Sequence, residues 1–433
     1  MEKTILIVGS GGRNKYEYLK WLESFGATVI LLEPENAQSD CAPKCKTYYA
    51  PFTRLEAVVQ KAKEISTCHS IVAVDTIYEL AMEHAAFVRH ALDLPGLTPE
   101  LIKIGRSKSV MAGFMSSRGI RTPSHITFDE GADLREIKQK MKLYGDMEWI
   151  LRPDNLGSNI GIRRIKTLDD LELVFDNAQN DMSNHQYRKL IFNNTNRWIV
   201  SQYIPGSELE AEVCIHKGET VFCCQLFKTV VLERQWGIEE NRCVTPVPWL
   251  TATQLNDMNI QIRMLAQAIY TEIMKPCGRD TMITYIEFRL DNENQAHVIE
   301  FAFRNGGYLN PTTIKESTGI DPYYLSAAAT MGIEPKLADS PIRCASGYQS
   351  IYSDRKGTFG GVKGIRNLPG ITVKKEVPLG HEISVPHSEI LLNVIATGTS
   401  AETVDRILND SLREATVIVD GESIGVPLSP YVK

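Results

Sequence analysis

An uninterrupted apolar run, "TILIVG" at residues 4–9, opens the chain, and similar runs return as "ATVILLE" from Ala27 and "SIVAVD" at 70–75. Continuous rather than alternating apolarity marks strands covered on both faces, as in parallel sheets. Between these runs the spacing turns helical, up to about Phe25 and again from about Tyr78 to Ala91. Strand, helix, strand, helix predicts a parallel α/β domain.

The pattern then changes. Residues 93–128 predict a helical stretch ending at Gly119, then Pro123 and a new strand. Residues 148–175 read as strand, loop, strand and helix, and residues 197–232 as an antiparallel series of strands. A long helix is expected over about 252–274. Two strands follow, "TMITYIEFRL" and "AHVIEFAF", joined by the polar turn Asp291-Asn292-Glu293-Asn294, and a strand-rich segment from about 345 closes the chain. No repeat, low-complexity tract or long linker interrupts this order.

Composition narrows the function classes. A length of 433 residues suits about two to four domains. With 43% apolar and 23% charged residues, the chain reads as an ordinary globular protein. The formal net charge is −6 and no basic block of the kind that grips nucleic-acid phosphates is present, which argues against a nucleic-acid partner. No apolar stretch approaches the ~18–20 residues that span a bilayer, and the N-terminus lacks signal-peptide architecture. The nine cysteines are odd in number and scattered. Cys41 and Cys45 have no second Cys/His pair at zinc-site spacing. A reducing, cytoplasmic setting is expected. The histidines form no HExxH-like array.

Four stretches carry candidate chemistry. Gly9-Ser10-Gly11-Gly12, with Glu33 at the end of the second strand, approaches a dinucleotide fingerprint, but Asn14 stands where the third glycine is needed. A tight structural turn, at most bordering a substrate pocket, is the competing reading, and no nicotinamide cofactor is expected there. In the 281–303 hairpin each strand holds one glutamate in an apolar run, Glu287 and Glu300. Pairing across the turn could bring both to one face, where two carboxylates suit Mg²⁺ together with nucleotide phosphates. Glu287 could equally pair with Arg289 or another structural cation. "RPDNLGSNIG", led by Arg152, could fold over phosphates and donate backbone N–H groups, or be an ordinary hairpin. "VSQYIPGSELE" could hydrogen-bond a purine edge, with Glu208 for ribose hydroxyls, or be a strand and turn.

The order of these pieces resembles the ATP-grasp superfamily across essentially the whole chain. That resemblance implies mixed α/β and α+β architecture. A parallel α/β domain would cover residues 1–95 and a small, lid-bearing subdomain 96–200. The central catalytic subdomain would cover 201–340, with a strand-rich C-terminal subdomain over 341–433. It implies ATP contacts from Lys108 and Arg152, a lid that includes Gly157, Ser158, Asn159 and Gly161, and an adenine hinge at Ser201, Gln202, Tyr203 and Ile204. Glu208 would hold the ribose, and Glu287 and Glu300 would hold Mg²⁺ (or Mn²⁺). Arg304 would stabilise the transferred phosphoryl group, with Lys108 and Arg152 as further catalytic cations.

The chain departs from the family pattern at three positions. Arg152 stands where lysine is usual, Gln202 where glutamate is common, and Ala302 where many members carry a metal-binding asparagine. The pattern Glu300-x-x-x-Arg304-x-Gly-Gly is similar to L-amino acid ligases, the dipeptide-forming carboxylate–amine ligases. This implies an acyl-phosphate mechanism, with Arg304, Gly306, Gly307 and Tyr308 facing the substrate. Tyr308 would either wall the acid pocket or pack in the core. The implied partners are a small carboxylate and a small amine, and a homodimer is compatible with the resemblance. ATP-grasp carboxylation, a purine-biosynthesis-type ligation and a non-catalytic nucleotide-binding module are the alternatives.

Overall fold

The computed structural model describes residues 3–9, 11, 15–35, 45–156, 161–184, 196–234, 237–337, 342–384 and 390–428. The N-terminal apolar runs form a parallel sheet in the order Lys46–Ala50, Ala27–Pro34, Lys3–Val8, Ile71–Asp75. Successive side chains of a strand point to opposite faces. Leu6, Val8, Ile30 and Leu32 therefore pack on one side, with Val58 and Ala85 of the helices Leu55–Cys68 and Met82–Ala91. Ile5, Ile7, Val29 and Leu31 pack on the other, with Tyr18, Leu19 and Leu22 of the helix Lys15–Ser24. This second layer also takes in Tyr323 and Ala327 of the helix Pro322–Met331, so a late segment docks on the first domain.

The expected helical stretch after Asp93 is broken by its own caps. Thr98 caps Pro99–Ile102, and Ser107 caps Lys108–Ser116 by accepting from the Val110 N–H. Capping hydroxyls satisfy backbone donors that a continuous helix would use, and so divide the stretch.

A small antiparallel sheet follows, in the order His125–Asp129, Arg197–Gln202, Trp149–Pro153, Arg163–Ile165. Its core is built on Trp149 and Trp198, which pack with residues of the helices Leu134–Lys142 and Leu171–Asn184. The strand Arg197–Gln202 thus leaves the antiparallel series expected over 197–232. Pro205-Gly206 separates it from that series. Gly206 has φ +110°, and a side chain there would sit 2.2 Å from the Leu290 carbonyl oxygen. Only glycine fits such a turn.

Eight further strands make one antiparallel sheet. Its order is Ala296–Ala302, Thr281–Leu290, Glu208–His216, Glu219–Arg234, Gly237–Thr245, Ala345–Ile351, Leu392–Gly398, Ile371–Lys375. The sheet runs on beyond residue 340, so the closing segment is joined to it by backbone hydrogen bonds. The helix Ala252–Ile269, continued by a π turn over Tyr270–Met274, packs in its core. The closing segment also carries the helix Ala401–Leu412 and a smaller antiparallel sheet. Among the described residues no helix is long and apolar enough to cross a membrane.

Candidate active site

Glu208, Glu210 and Glu212 alternate along the strand Glu208–His216, so period-two geometry puts all three on one face. On the neighbouring strand they stand opposite Arg289, Glu287 and Tyr285, and Glu287 in turn stands opposite Glu300. The two glutamates of the hairpin therefore face each other directly. The short turn is stabilised by Asp291, whose side chain accepts from the Glu293 and Gln295 N–H groups.

One buried cation balances much of this acid cluster. Lys228 Nζ lies 2.6 Å from Glu208 Oε1, 3.2 Å from Glu210 Oε1 and 3.7 Å from Glu287 Oε1. Tyr285 Oη contacts Glu210 and lies 3.0 Å from Glu287. Burial pushes the Glu287 carboxyl up to about 7, with Lys228 opposing and Glu300, Glu208 and Glu210 reinforcing the rise. Arg289 is spent elsewhere. Its Nη1 donates to Glu208 at 2.7 Å, its Nε to the Ile204 carbonyl at 2.8 Å, and its guanidinium lies over the Tyr203 ring.

Across from these carboxylates stand two cations. Lys108, the first residue of its helix, donates to the Leu156 carbonyl at 2.5 Å and lies 3.9 Å from Glu300 Oε2. Arg152 donates to Glu300 Oε2 and to Ser201 Oγ, both at 3.2 Å, while its Nε is buried without a partner among the described residues. Burial lowers the Lys108 pKa against the pull of Glu300. Leu156 is the last described residue before the expected lid segment, so Lys108 is bonded to the residue that precedes it. Gly157, Ser158 and Asn159 lie outside the described residues. Gly161 has φ +70° and packs against Pro153 and Met182.

The third element is Arg304. It pairs with Glu79 of the N-terminal domain, which also pairs with Arg106, and its Nη1 donates to the Asn305 carbonyl at 2.6 Å. Burial works to raise the Glu79 carboxyl, but Arg304, Arg106 and Lys108 hold it down at about 2. Next in the chain, Asn305 Nδ2 and the Gly306 N–H donate to Glu212 at 2.6 and 2.8 Å. Burial pushes the Glu212 carboxyl up to about 7. A side chain at Gly306 would meet Asn310 Nδ2 at 2.8 Å, whereas Gly307 faces open space.

Lys108, Arg152, Ser201, Glu287, Glu300 and Arg304 thus share one charged cluster, with Glu208 bound to it through Lys228. In the segment expected to border adenine, the Gln202 and Tyr203 N–H groups donate to the Ser124 and Glu148 carbonyls. Tyr308, at φ +52°, is half-buried against the apolar cluster that contains Leu309 and Ile314. Sequence reasoning passed over Lys228, Glu210, Glu212, Tyr285 and Glu79. The alternation in "ELEAE" and the single lysine in "CCQLFKTVVL" were visible signals for the first three. No local pattern marked Glu79. At the first turn, Gly9 and Gly11 have positive φ, and side chains there would collide with Ala81 and Tyr78. The glycines therefore permit tight packing.

Comparison with known proteins follows the same lines. The sequence profile of the ATP-grasp domain matches residues 146–312. No curated protein matches the chain in sequence. Among solved structures, L-amino acid ligase from Bacillus licheniformis superposes with a TM-score of 0.79 at 20% identity, covering 97% of this chain and 99% of that one. Phosphoribosylglycinamide synthetase from Anaerococcus prevotii gives 0.69 at 16% identity, over 97% and 100% of the two chains. The biotin carboxylase domain of Hydrogenobacter thermophilus 2-oxoglutarate carboxylase, in complex with MgADP, ADP and bicarbonate, gives 0.71 at 16% identity, over 99% and 92%. The ATP-grasp fold therefore extends over essentially the whole chain.

Proposed function

We propose that the protein is an ATP-dependent carboxylate–amine ligase that joins amino acids, or an amino-acid-like acid and amine, through an acyl phosphate. The observation that carries this reading is the direct opposition of Glu287 and Glu300 on adjacent strands, in one cluster with Lys108, Arg152 and Arg304. Mg²⁺ characteristically takes one or two carboxylates and completes its shell with phosphate oxygens and water. The raised Glu287 carboxyl fits that role, because a site that strains to hold its negative charge gains most from a divalent cation. When bound, Mg²⁺ (or Mn²⁺) neutralises charge on the ATP phosphates.

Each protein group then has a task. Lys108 and Arg152 hold the phosphates, and their ion pairs with Glu300 keep them extended and in place before nucleotide arrives. The expected lid, Gly157, Ser158, Asn159 and Gly161, would cover the phosphates and exclude water, while Ser201–Ile204 would border the base and Glu208 the ribose. A carboxylate oxygen of the acid attacks the γ-phosphorus, the bond to ADP breaks, and ADP leaves. The amine nitrogen then attacks the acyl carbon, the carbon–oxygen bond to phosphate breaks, and the nitrogen loses a proton. Arg304 supplies a planar pair of donors where charge accumulates on the transferred group. Its guanidinium is aimed by Glu79 and the Asn305 carbonyl. Gly307, which faces open space, lets substrate approach the backbone beside it, while Gly306 fixes the turn through its N–H bond to Glu212.

The test is ADP release measured over a panel of amino-acid pairs, with mass spectrometry of the product. Release that requires both an acid and an amine, with an amide as product, supports the ligase. Release that requires bicarbonate rejects it in favour of carboxylation. Glu300→Gln keeps the side-chain shape and removes the charge, and is expected to abolish nearly all turnover in a folded protein. Turnover near that of the parent removes Glu300 from the metal role.

A further inference from the structure

Tyr285 precedes Glu287 by two positions on the strand Thr281–Leu290, so both side chains leave the same face of the sheet. Tyr285 is buried, and its two ends meet different parts of the site. The hydroxyl contacts Glu210 and lies 3.0 Å from Glu287 Oε1. The Arg304 guanidinium lies over the ring, its Cζ 5.5 Å from the centroid. One side chain thus touches a carboxylate assigned to the metal and the arginine assigned to the transferred phosphoryl group.

The contacts of Glu287 are one-sided. Tyr285 and Lys228 both reach Oε1, whereas Oε2 makes no hydrogen bond or ion pair among the described residues. A phenol has a single proton to give. The Tyr285 hydroxyl gives it to Glu210 or to Glu287, and Lys228, 3.2 and 3.7 Å from those carboxylates, supports the other. Glu210 is held in turn by Asn310 Nδ2 at 2.5 Å. One oxygen of Glu287 is therefore fixed inside the protein, and the other is left without a protein partner. Small neighbours make room for the ring. Ala302 stands directly opposite Tyr285 on the next strand, and a Cβ at Gly306 would meet Tyr285 Cδ2 at 3.0 Å. Ala302 is the position where many ATP-grasp members carry a metal-binding asparagine. Here that position supplies only a methyl group, and the polar group on this face comes from the tyrosine across from it.

We propose that Tyr285 is a positioning residue with two tasks: its hydroxyl holds Glu287 with one oxygen free for Mg²⁺, and its ring carries the Arg304 guanidinium. The inference rests on the metal and arginine roles proposed above and adds the residue that links them. Mg²⁺ tolerates little departure from octahedral geometry, so the placement of its ligands matters. An outer hydrogen-bond partner fixes a ligating carboxylate in that placement. The face of a tyrosine ring attracts a guanidinium without using its N–H donors, which stay available to phosphate oxygens. Because both tasks fall to one buried side chain, the metal carboxylate and the arginine keep a set separation.

The experiment compares Tyr285→Phe, which removes the hydroxyl and keeps the ring, with Tyr285→Leu, which removes both. The first readout needs no turnover: the affinity of the ADP-bound protein for Mn²⁺, from the paramagnetic resonance signal of the free ion. Loss of an outer partner of a metal ligand typically costs roughly 10–100-fold in metal affinity. A fall of that size is expected in both variants, while ADP binding without metal holds. The second readout is kcat for amide formation at saturating Mg²⁺. It is expected to be about 10-fold lower in Tyr285→Leu than in Tyr285→Phe, because only the leucine variant takes the ring from Arg304. Unchanged Mn²⁺ affinity in Tyr285→Phe overturns the hydroxyl's task, and equal kcat in the two variants overturns the ring's; either result leaves the ligase reading standing. Equal losses of ADP binding with and without metal, together with a lowered melting temperature, mark a purely structural tyrosine and overturn both. A parent protein that binds no Mn²⁺ with ADP rejects the metal role of Glu287 and Glu300, and this inference with it. An absence of ADP release with every acid and amine rejects the ligase reading, and the Mn²⁺ affinities then decide the hydroxyl's task alone.

Discussion

Replacing Lys228 with methionine tests whether one buried ammonium holds the acid cluster together. Its side chain is fully buried and within 4 Å of Glu208, Glu210 and Glu287. At an effective dielectric near 20, contacts of 2.6 and 3.2 Å correspond to ~6 and ~5 kcal/mol of gross attraction. The cost of burying the charges offsets most of that, and removing one partner of a buried ion pair typically leaves a net loss of about 3–5 kcal/mol. Against a total stability of about 5–15 kcal/mol this is a large fraction. The loss should depend on pH, with a definite sign. Glu287 already titrates at about 7 with Lys228 present. Without the lysine it rises further, so the folded state binds more protons than the unfolded chain, and stability falls as pH rises from the ordinary carboxylate range through neutrality. Urea unfolding of Lys228→Met at pH 6 and pH 8 reads this directly, with a larger deficit expected at pH 8. A loss below ~1 kcal/mol at both values, as for an exposed ion pair, would refute the reasoning.

Two further outcomes are expected. Glu212, whose folded carboxyl stands near 7, contributes stability that is complete below the ordinary carboxylate pKa and lost as pH rises toward 7. Glu212→Gln should flatten the fall in unfolding free energy between about pH 4.5 and 7, by a few kcal/mol at most, and an identical slope in both proteins would exclude Glu212 as its source. Tyr308→Ala should shift the preference between small and large acid substrates by ~10-fold or more if the ring walls the pocket. A lowered melting temperature with an unchanged ranking of acids would instead assign the ring to the apolar cluster around Leu309.

The parts of this architecture that depend on near neighbours were legible without coordinates. The continuous apolar runs at 4–9 and from Ala27 declare strands buried on both faces. The five-residue connection after Leu290 brings Glu287 opposite Glu300, because a short turn leaves two adjacent strands few registers. What the pattern could not say is which charge meets which. Arg304 pairs with Glu79, 225 residues earlier, because the 3-10 turn at Glu79–Ala81 is carried against the large sheet when the domains dock. Lys228 finds three glutamates because three strands of that sheet lie side by side, and Arg152 meets Ser201 because Arg197–Gln202 joins the small sheet instead of the series that follows it. Periodicity records which residues leave water. The partner of a buried charge is selected by desolvation across distant segments, and that selection exists only once the sheets have packed.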